Sequence, residues 1–225
     1  GVRAVTIFEK TIEDPSAAVR DASAIALAKM GFDELDQTFI ETLAARNDSV
    51  RAAAAKALGQ LGRSVGIEEL RLATTDPAAG VRAEAMRALG ASPELGVLDV
   101  LTKGAHDQDK MVRAAAIGSL AKVSGPASTK VLFEISVDTS SPALAVKALA
   151  GLAAKGETVD LSLVERILDR RDSDLMVDGV DVLKAQKGDA SLALLTRTME
   201  GSLDLRVRLM AAVVLVNRLQ RSGGP

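Results

Sequence analysis

The chain has no cysteine, no tryptophan and no tyrosine, and it has one histidine. Each absence excludes chemistry. Without cysteine there are no disulfides, thiolate metal centres, iron–sulfur clusters or cysteine nucleophiles. A lone His106 rules out any site that needs two histidines, di-iron centres included. Aromatics are 2% of the residues, all phenylalanine, which leaves little to stack on bases. Neither charge dominates: 28 basic and 30 acidic residues leave a net charge of −2, so no bulk field draws nucleic acid or an anionic membrane. No apolar run approaches the roughly 18 residues of a membrane span. The longest, Leu209 to Val216, is bracketed by Arg208 and Arg218. There is no phosphate-binding glycine loop, HExxH or GxSxG. No secretory signal is visible, and a chain that opens on Gly1 reads as a processed or trimmed form. The compartment stays open: cytoplasmic, or exported with its signal removed.

What is present is periodic. Of 225 residues, 48% are hydrophobic, enough for a sizeable core. A Val-Arg pair, an Ala-rich stretch and a Leu eight residues after the Val recur as VRDASAIAL from Val19, VRAAAAKAL from Val50, VRAEAMRAL from Val81 and VRAAAIGSL from Val112. Looser copies start at Leu144, Leu175 and Val207. The seven anchors lie 31, 31, 31, 32, 31 and 32 residues apart. Eleven residues before each stands a second column: Phe8, Phe39, Leu70, Leu101, Phe133, Val164 and Thr196. Three of the four phenylalanines fall in it, so burial is expected there, Phe133 included.

Each unit reads as two helices. Leu35, Phe39 and Leu43 form one apolar stripe; Val50, Ala53, Ala54, Ala57, Leu58 and Leu61 form the next. Asp14-Pro15, Asp76-Pro77 and Ser141-Pro142 read as starts of second helices, with the Asp or Ser capping. Gly31, Gly62, Gly125, Gly156 and Gly188 read as helix stops. Strand signals are missing. A single pair cannot bury its apolar face, but stacked pairs can. The expected fold is all-α: a right-handed α-solenoid (an alpha-alpha superhelix) of about seven helix pairs. Residues 1–221 would form one domain and 222–225 a flexible tail.

These units resemble HEAT repeats, specifically the short bacterial HEAT-like class first associated with phycobilin lyase subunits. The resemblance rests on Asp14-Pro15…Val19-Arg20…Ala26-Leu27…Gly31, on Asp76-Pro77…Val81-Arg82…Ala88-Leu89-Gly90 and on their parallels, and it spans essentially the whole chain. Leu144-Ala145 and Leu175-Met176 depart from Val-Arg. The resemblance implies a curved scaffold whose second helices line a concave protein-binding face. An accessory subunit of lyase or chaperone type, acting on a cofactor-bearing partner, is the alternative it implies. The scarcity of aromatics and histidine favours the plain scaffold.

Few side chains suggest chemistry. Arg20, Arg51, Arg82, Arg113 and Arg208 form a column that reads as a structural ladder, each guanidinium bonding an Asp or carbonyls of an inter-helix turn. An anion track is the competing reading. His106 reads as a surface turn residue. Asp172, Asp174, Asp178 and Asp181 could serve acid–base chemistry or a hard cation, but helix capping explains the first two. No catalytic, cofactor-binding or metal-binding set is expected. If positions 0, 4 and 8 after each anchor pack inward, positions 2, 6, 9 and 10 face the concavity. That face would offer Lys29, Lys56, Arg87 and Lys122, then Val146, Ala150 and Ala153, with Asp181 beyond. It suits an acidic or amphipathic peptide, and a merely solvated face is the equal alternative. The partner is expected to be a protein or peptide, with no nucleic acid and no membrane span. Finally, the last helix is apolar around its circumference and is expected to be buried all round. Three covers are open, namely further repeats after Pro225 in a longer parent, a second copy or a docked partner, and the Gly223-Gly224-Pro225 tail favours self-association or a partner through Leu209, Val213 and Val216.

Overall fold

The computed structural model describes residues 2–31, 34–61, 65–91, 96–138, 140–170 and 172–222, with residues 2, 34, 221 and 222 described by backbone alone. Among them lie fourteen α-helices and no strand. Two compact units divide the chain, Gly1–Ser124 and Gly125–Pro225. The first holds α1 (Val2–Thr11), α2 (Ala17–Met30), α3 (Glu34–Thr42), α4 (Asp48–Leu61), α5 (Ile67–Ala73), α6 (Ala79–Leu89), α7 (Leu98–Gly104) and α8 (Lys110–Leu120). The second holds α9 (Pro126–Ser136), α10 (Pro142–Ala154), α11 (Leu161–Leu168), α12 (Ser173–Ala185), α13 (Asp189–Gly201) and α14 (Leu205–Ser222). Odd-numbered helices open a pair and even-numbered ones close it. In the first unit α2, α4, α6 and α8 pack on one another in succession, as do α10, α12 and α14 in the second. This is the solenoid arrangement of helix pairs.

Small residues make that succession close. Ala has high helix propensity and lets helix axes approach. Where Gly stands, even Ala is too large. A Cβ on Gly59 would lie 2.8 Å from Ala88 Cα, and one on Gly90 would overlap Ser119 Cβ and lie 2.8 Å from Ser119 Cα. Position 9 of one second helix thus meets position 7 of the next. Ser119 Oγ donates to the Met86 carbonyl at 2.8 Å across the same seam.

The first helices supply the large side chains. Phe8, Phe39, Leu70, Leu101, Leu132, Val164 and Leu195 are almost fully buried, and the Phe8 and Phe39 rings meet edge to face with centroids 4.8 Å apart. The expected column is corrected at two places. Phe133 is 55% exposed, and its neighbour Leu132 fills the core. Leu195 likewise takes the place expected of Thr196, which is only half-buried. The fifth and seventh units carry one extra residue between the column and the anchor, so counting back eleven from Leu144 or Val207 stops one residue short.

Helix starts also differ from expectation. Asp14 and Asp76 are not caps. Each lies two residues before the N-cap, where its Oδ1 accepts a backbone N–H, from Ser16 and Ala78 respectively, at 2.8 Å. Gly31 takes the left-handed conformation and ends α2, whereas Gly125 and Gly188 precede α9 and α13. The expected stop at Gly62 and residues 223–225 of the expected tail lie outside the described residues; α14 continues through Ser222.

The arginine column runs between successive units. Arg51 donates from Nε and Nη2 to both oxygens of Asp76 at 2.8 Å, and Nη1 donates to the carbonyls of Ala45 and Arg46. Arg82 repeats this with Asp107 at 2.9 Å and with the carbonyls of Asp76 and Pro77. Each guanidinium therefore ties its own inter-helix turn to the carboxylate of the next unit. Arg113 bonds the carbonyls of Asp107 and Gln108. Arg20 bonds the carbonyls of Asp14 and Pro15, then Ser49 Oγ at 2.8 Å, and its Nε is buried with no partner. The cause is in the sequence: the place held by Asp76 and Asp107 is Ala45 in the second unit. Arg208 departs from the expectation of a ladder role. It is exposed, and no carboxylate pairs with it among the described residues.

The ladder sets three expected outcomes. Arg82→Ala strands a largely buried Asp107 and should cost about 2–4 kcal/mol in urea unfolding, while Arg208→Ala should leave the midpoint in place. Hydrogen bonds from Arg51 and Arg82 hold the Asp76 and Asp107 carboxyls below the ordinary carboxylate range. Their contribution is complete above the unfolded-state value and is lost as pH falls through the lower folded-state values, so stability should drop below about pH 4, less steeply in Arg82→Ala. Ala45→Asp should raise stability by about 1 kcal/mol by supplying the carboxylate that Arg20 Nε lacks.

Candidate functional site

The expected binding face comes apart residue by residue. Positions 2 and 9 are packed over in several of the second helices. Val146 is fully buried, as are Ala83 at the same position and Ala28, Gly90 and Ala153 at position 9. Val146 is therefore corrected from a contact residue to a core residue. Positions 6 and 10 do reach the surface: Lys29, Arg87, Lys122 and Asp181 reach solvent, while Lys56 and Ala150 are half-buried. Two of the four cations are satisfied within the chain. Lys56 Nζ lies 2.6 Å from Asp21 Oδ2, and Arg87 lies 2.8 Å from Glu84. No carboxylate pairs with Lys29 or Lys122 among the described residues. The sequence signal for the corrected positions was the run of small residues at position 9, Ala28, Gly59, Gly90, Ala121 and Ala153.

The acidic cluster divides by role. Asp172 caps α12, accepting from the N–H groups of Asp174 and Leu175. Asp174 receives Arg206 at 3.2 Å. Burial, reinforced by Asp181, Asp174 and Asp172 and opposed by Lys147, pushes the Asp178 carboxyl above its ordinary value. No group of three acids or histidines capable of holding a metal occurs among the described residues. His106 is exposed in the turn after α7.

An apolar surface feature lies on α14. Its first turns carry Leu205, Val207, Leu209 and Met210, and the helix packs on α12 and α13 through Val207, Ala211 and Val214. The opposite stripe stays open: Leu209, Val213 and Val216 are each more than half exposed, in line with Leu205 and Leu219. Within the chain only one face of this helix is covered, so the cover expected for the other face would have to come from outside the described residues. Beside the stripe lies a cavity of about 300 Å³ floored by Leu209, Met210, Val213 and Val214, with Asp181, Lys184 and Asn217 at its rim. Arg218 anchors the far end of the helix. Its guanidinium donates to the carbonyls of Leu183 and Gln186 and to Ser191 Oγ, placing a cation at the C-terminus of α12, and burial lowers its pKa. No described helix is long and apolar enough to cross a membrane.

Comparison with known proteins gives the following. A family model described as HEAT repeats matches residues 5–90 and 67–153. No curated protein matches. Among solved structures, the archaeal HEAT-like repeats protein from Thermococcus onnurineus NA1 is 16% identical, with 95% of each chain covered and a TM-score of 0.56. An engineered protein is 19% identical, covering 83% of this chain and 98% of its own, also with a TM-score of 0.56. The complex of CpcE and CpcF of phycocyanin lyase from Nostoc sp. PCC7120 is 20% identical over 96% of this chain and 83% of its own, with a TM-score of 0.47. The first two likenesses concern the fold alone, and the third carries no argument.

Proposed function

The chain belongs to the HEAT repeat family, and we propose that it is a non-enzymatic scaffold for protein–protein contact. The observation that carries this reading is the open stripe Leu209, Val213 and Val216 with its adjoining cavity. Contiguous apolar surface of this kind is uncommon on soluble monomers and marks interaction sites. Large aliphatic side chains beside a rim of Asp181, Lys184 and Asn217 have the make-up of an interface core with a polar edge. On the first unit, Lys29 and Lys122 have no carboxylate partner among the described residues and would suit an acidic segment of a partner. Among the described residues nothing in the acidic cluster sets a nucleophile beside a base, and no side chain is seen to orient His106.

The test is affinity capture with the purified chain and with a Leu209→Glu/Val213→Glu variant of matched melting temperature. A discrete protein retained by the parent and lost by the variant is the expected result. Equal capture by both would remove the stripe from the reading. Substrate turnover by the purified chain that vanishes in Asp178→Asn would overturn the non-enzymatic assignment.

A further inference from the structure

One step of the arginine ladder is reversed inside the second compact unit. Elsewhere an arginine one residue after its anchor reaches the carboxylate five residues before the next anchor, as Arg51 reaches Asp76 and Arg82 reaches Asp107. Between the anchors Leu144 and Leu175 the same two places hold Ala145 and Arg170. The arginine has become a methyl group, and the acid has become an arginine. Both residues line one cavity of about 60 Å³, with Arg166, Asp138, Leu163 and Ile167. A water needs roughly 10–15 Å³ of such space, so a carboxylate group with its methylene fits.

The charges around this cavity are unbalanced. Glu165 and Asp169, four residues apart, together hold Arg197 of α13. Arg166 and Arg170 are spaced alike and line the cavity, and neither guanidinium has a hydrogen-bond acceptor or an acid among the described residues. Asp138 is committed elsewhere: its two oxygens accept from the N–H and the Oγ of Ser140 at 2.8 and 2.9 Å. Two guanidinium groups and one carboxylate leave the wall with a single positive charge in excess.

We infer that the cavity takes the carboxylate of an acidic side chain of a partner protein, held by Arg166 and Arg170. The ion pair that Arg51 and Asp76 make within the chain is completed here from outside, with the arginine on the opposite side of the step. A guanidinium fork matches a planar carboxylate. A phosphate group carries close to two charges and would set the second against Asp138. Leu163 and Ile167 offer apolar wall to the methylenes of a glutamate. This rests on the scaffold reading and gives it a contact made by residues other than those of the α14 stripe.

The test is titration of the full chain with glutamate capped at both ends, followed through the arginine Nε–H signals in nitrogen-15 spectra at low ionic strength. The signals of Arg166 and Arg170 should shift and saturate, and capped glutamine should leave them in place. Arg170→Glu should weaken binding about tenfold or more without moving the melting temperature, because the side chain is exposed and unpartnered. Ala145→Arg combined with Arg170→Asp should rebuild the ladder step within the chain, abolish the response to glutamate and raise the melting temperature. If that double variant folds poorly, Arg170→Glu alone decides. Capped glutamate that shifts neither signal, or that binds Arg170→Glu as it binds the parent, would overturn the site. Capture lost in Leu209→Glu/Val213→Glu would in that case leave the scaffold reading standing. Inorganic phosphate binding more tightly than capped glutamate would overturn the carboxylate assignment in favour of a phosphate site.

Discussion

Phe39→Ala is expected to destabilise the protein by about 3–5 kcal/mol, measured as the shift in urea unfolding at constant m-value. Phe39 has no measurable exposure, and its ring packs edge to face on Phe8. Removal forfeits the transfer energy of the ring, the aromatic pair and the contacts lining the void that remains. Neighbouring helices are held by the α2–α4 seam and cannot close on the gap. Phe133→Ala is the informative comparison. More than half of that side chain faces solvent, so its loss should cost under about 1 kcal/mol. Equal effects at the two positions would show that the core runs through Phe133 and that Leu132 is misplaced.

Gly90→Ala should cost about 3 kcal/mol or more, an unusual penalty for one methyl group. The new Cβ would overlap Ser119 Cβ and fall 2.8 Å from Ser119 Cα, so rotating a side chain does not relieve it. Either α6 and α8 separate, exposing the alanines between them, or Ser119 gives up its hydrogen bond to the Met86 carbonyl. Gly80→Ala, in the first turn of the same helix, meets nothing within 4 Å and should be neutral or stabilising by up to about 1 kcal/mol. Thermal melts of the two variants side by side check the pair. A Gly90→Ala protein as stable as the parent would mean that the second helices do not approach as closely as described.

Much of this fold is legible in the sequence. The spacing of Val19, Val50, Val81 and Val112 predicts the helix pairs, and Phe8, Phe39, Leu70 and Leu101 mark their core. Arg51 and Arg82 are readable as ladder residues because Asp76 and Asp107 sit at a constant offset. The column fails at Phe133 for a local reason. An added residue in a turn shifts everything counted back across it, whereas stepping forward by 31 from Leu101 lands on Leu132 and needs no knowledge of the turn.

The binding face is the harder problem, and its error separates what each level decides. Composition and period by themselves determined the element type, the number of units and the apolar stripe of each helix, because helix propensity and the 3.6-residue turn act within a few residues of chain. They could not say which flank of a second helix its neighbour covers. That depends on the crossing of helices about 31 residues apart in sequence, and only their packing placed Val146 and Ala153 inside and Lys29 and Lys122 outside. The same holds at the ends of the succession. Val207, Ala211 and Val214 face inward and Leu209, Val213 and Val216 outward on one helix whose apolar residues spread around its circumference. A helix apolar on every side carries no record of which side has a neighbour; that is a property of what stands next to it in space.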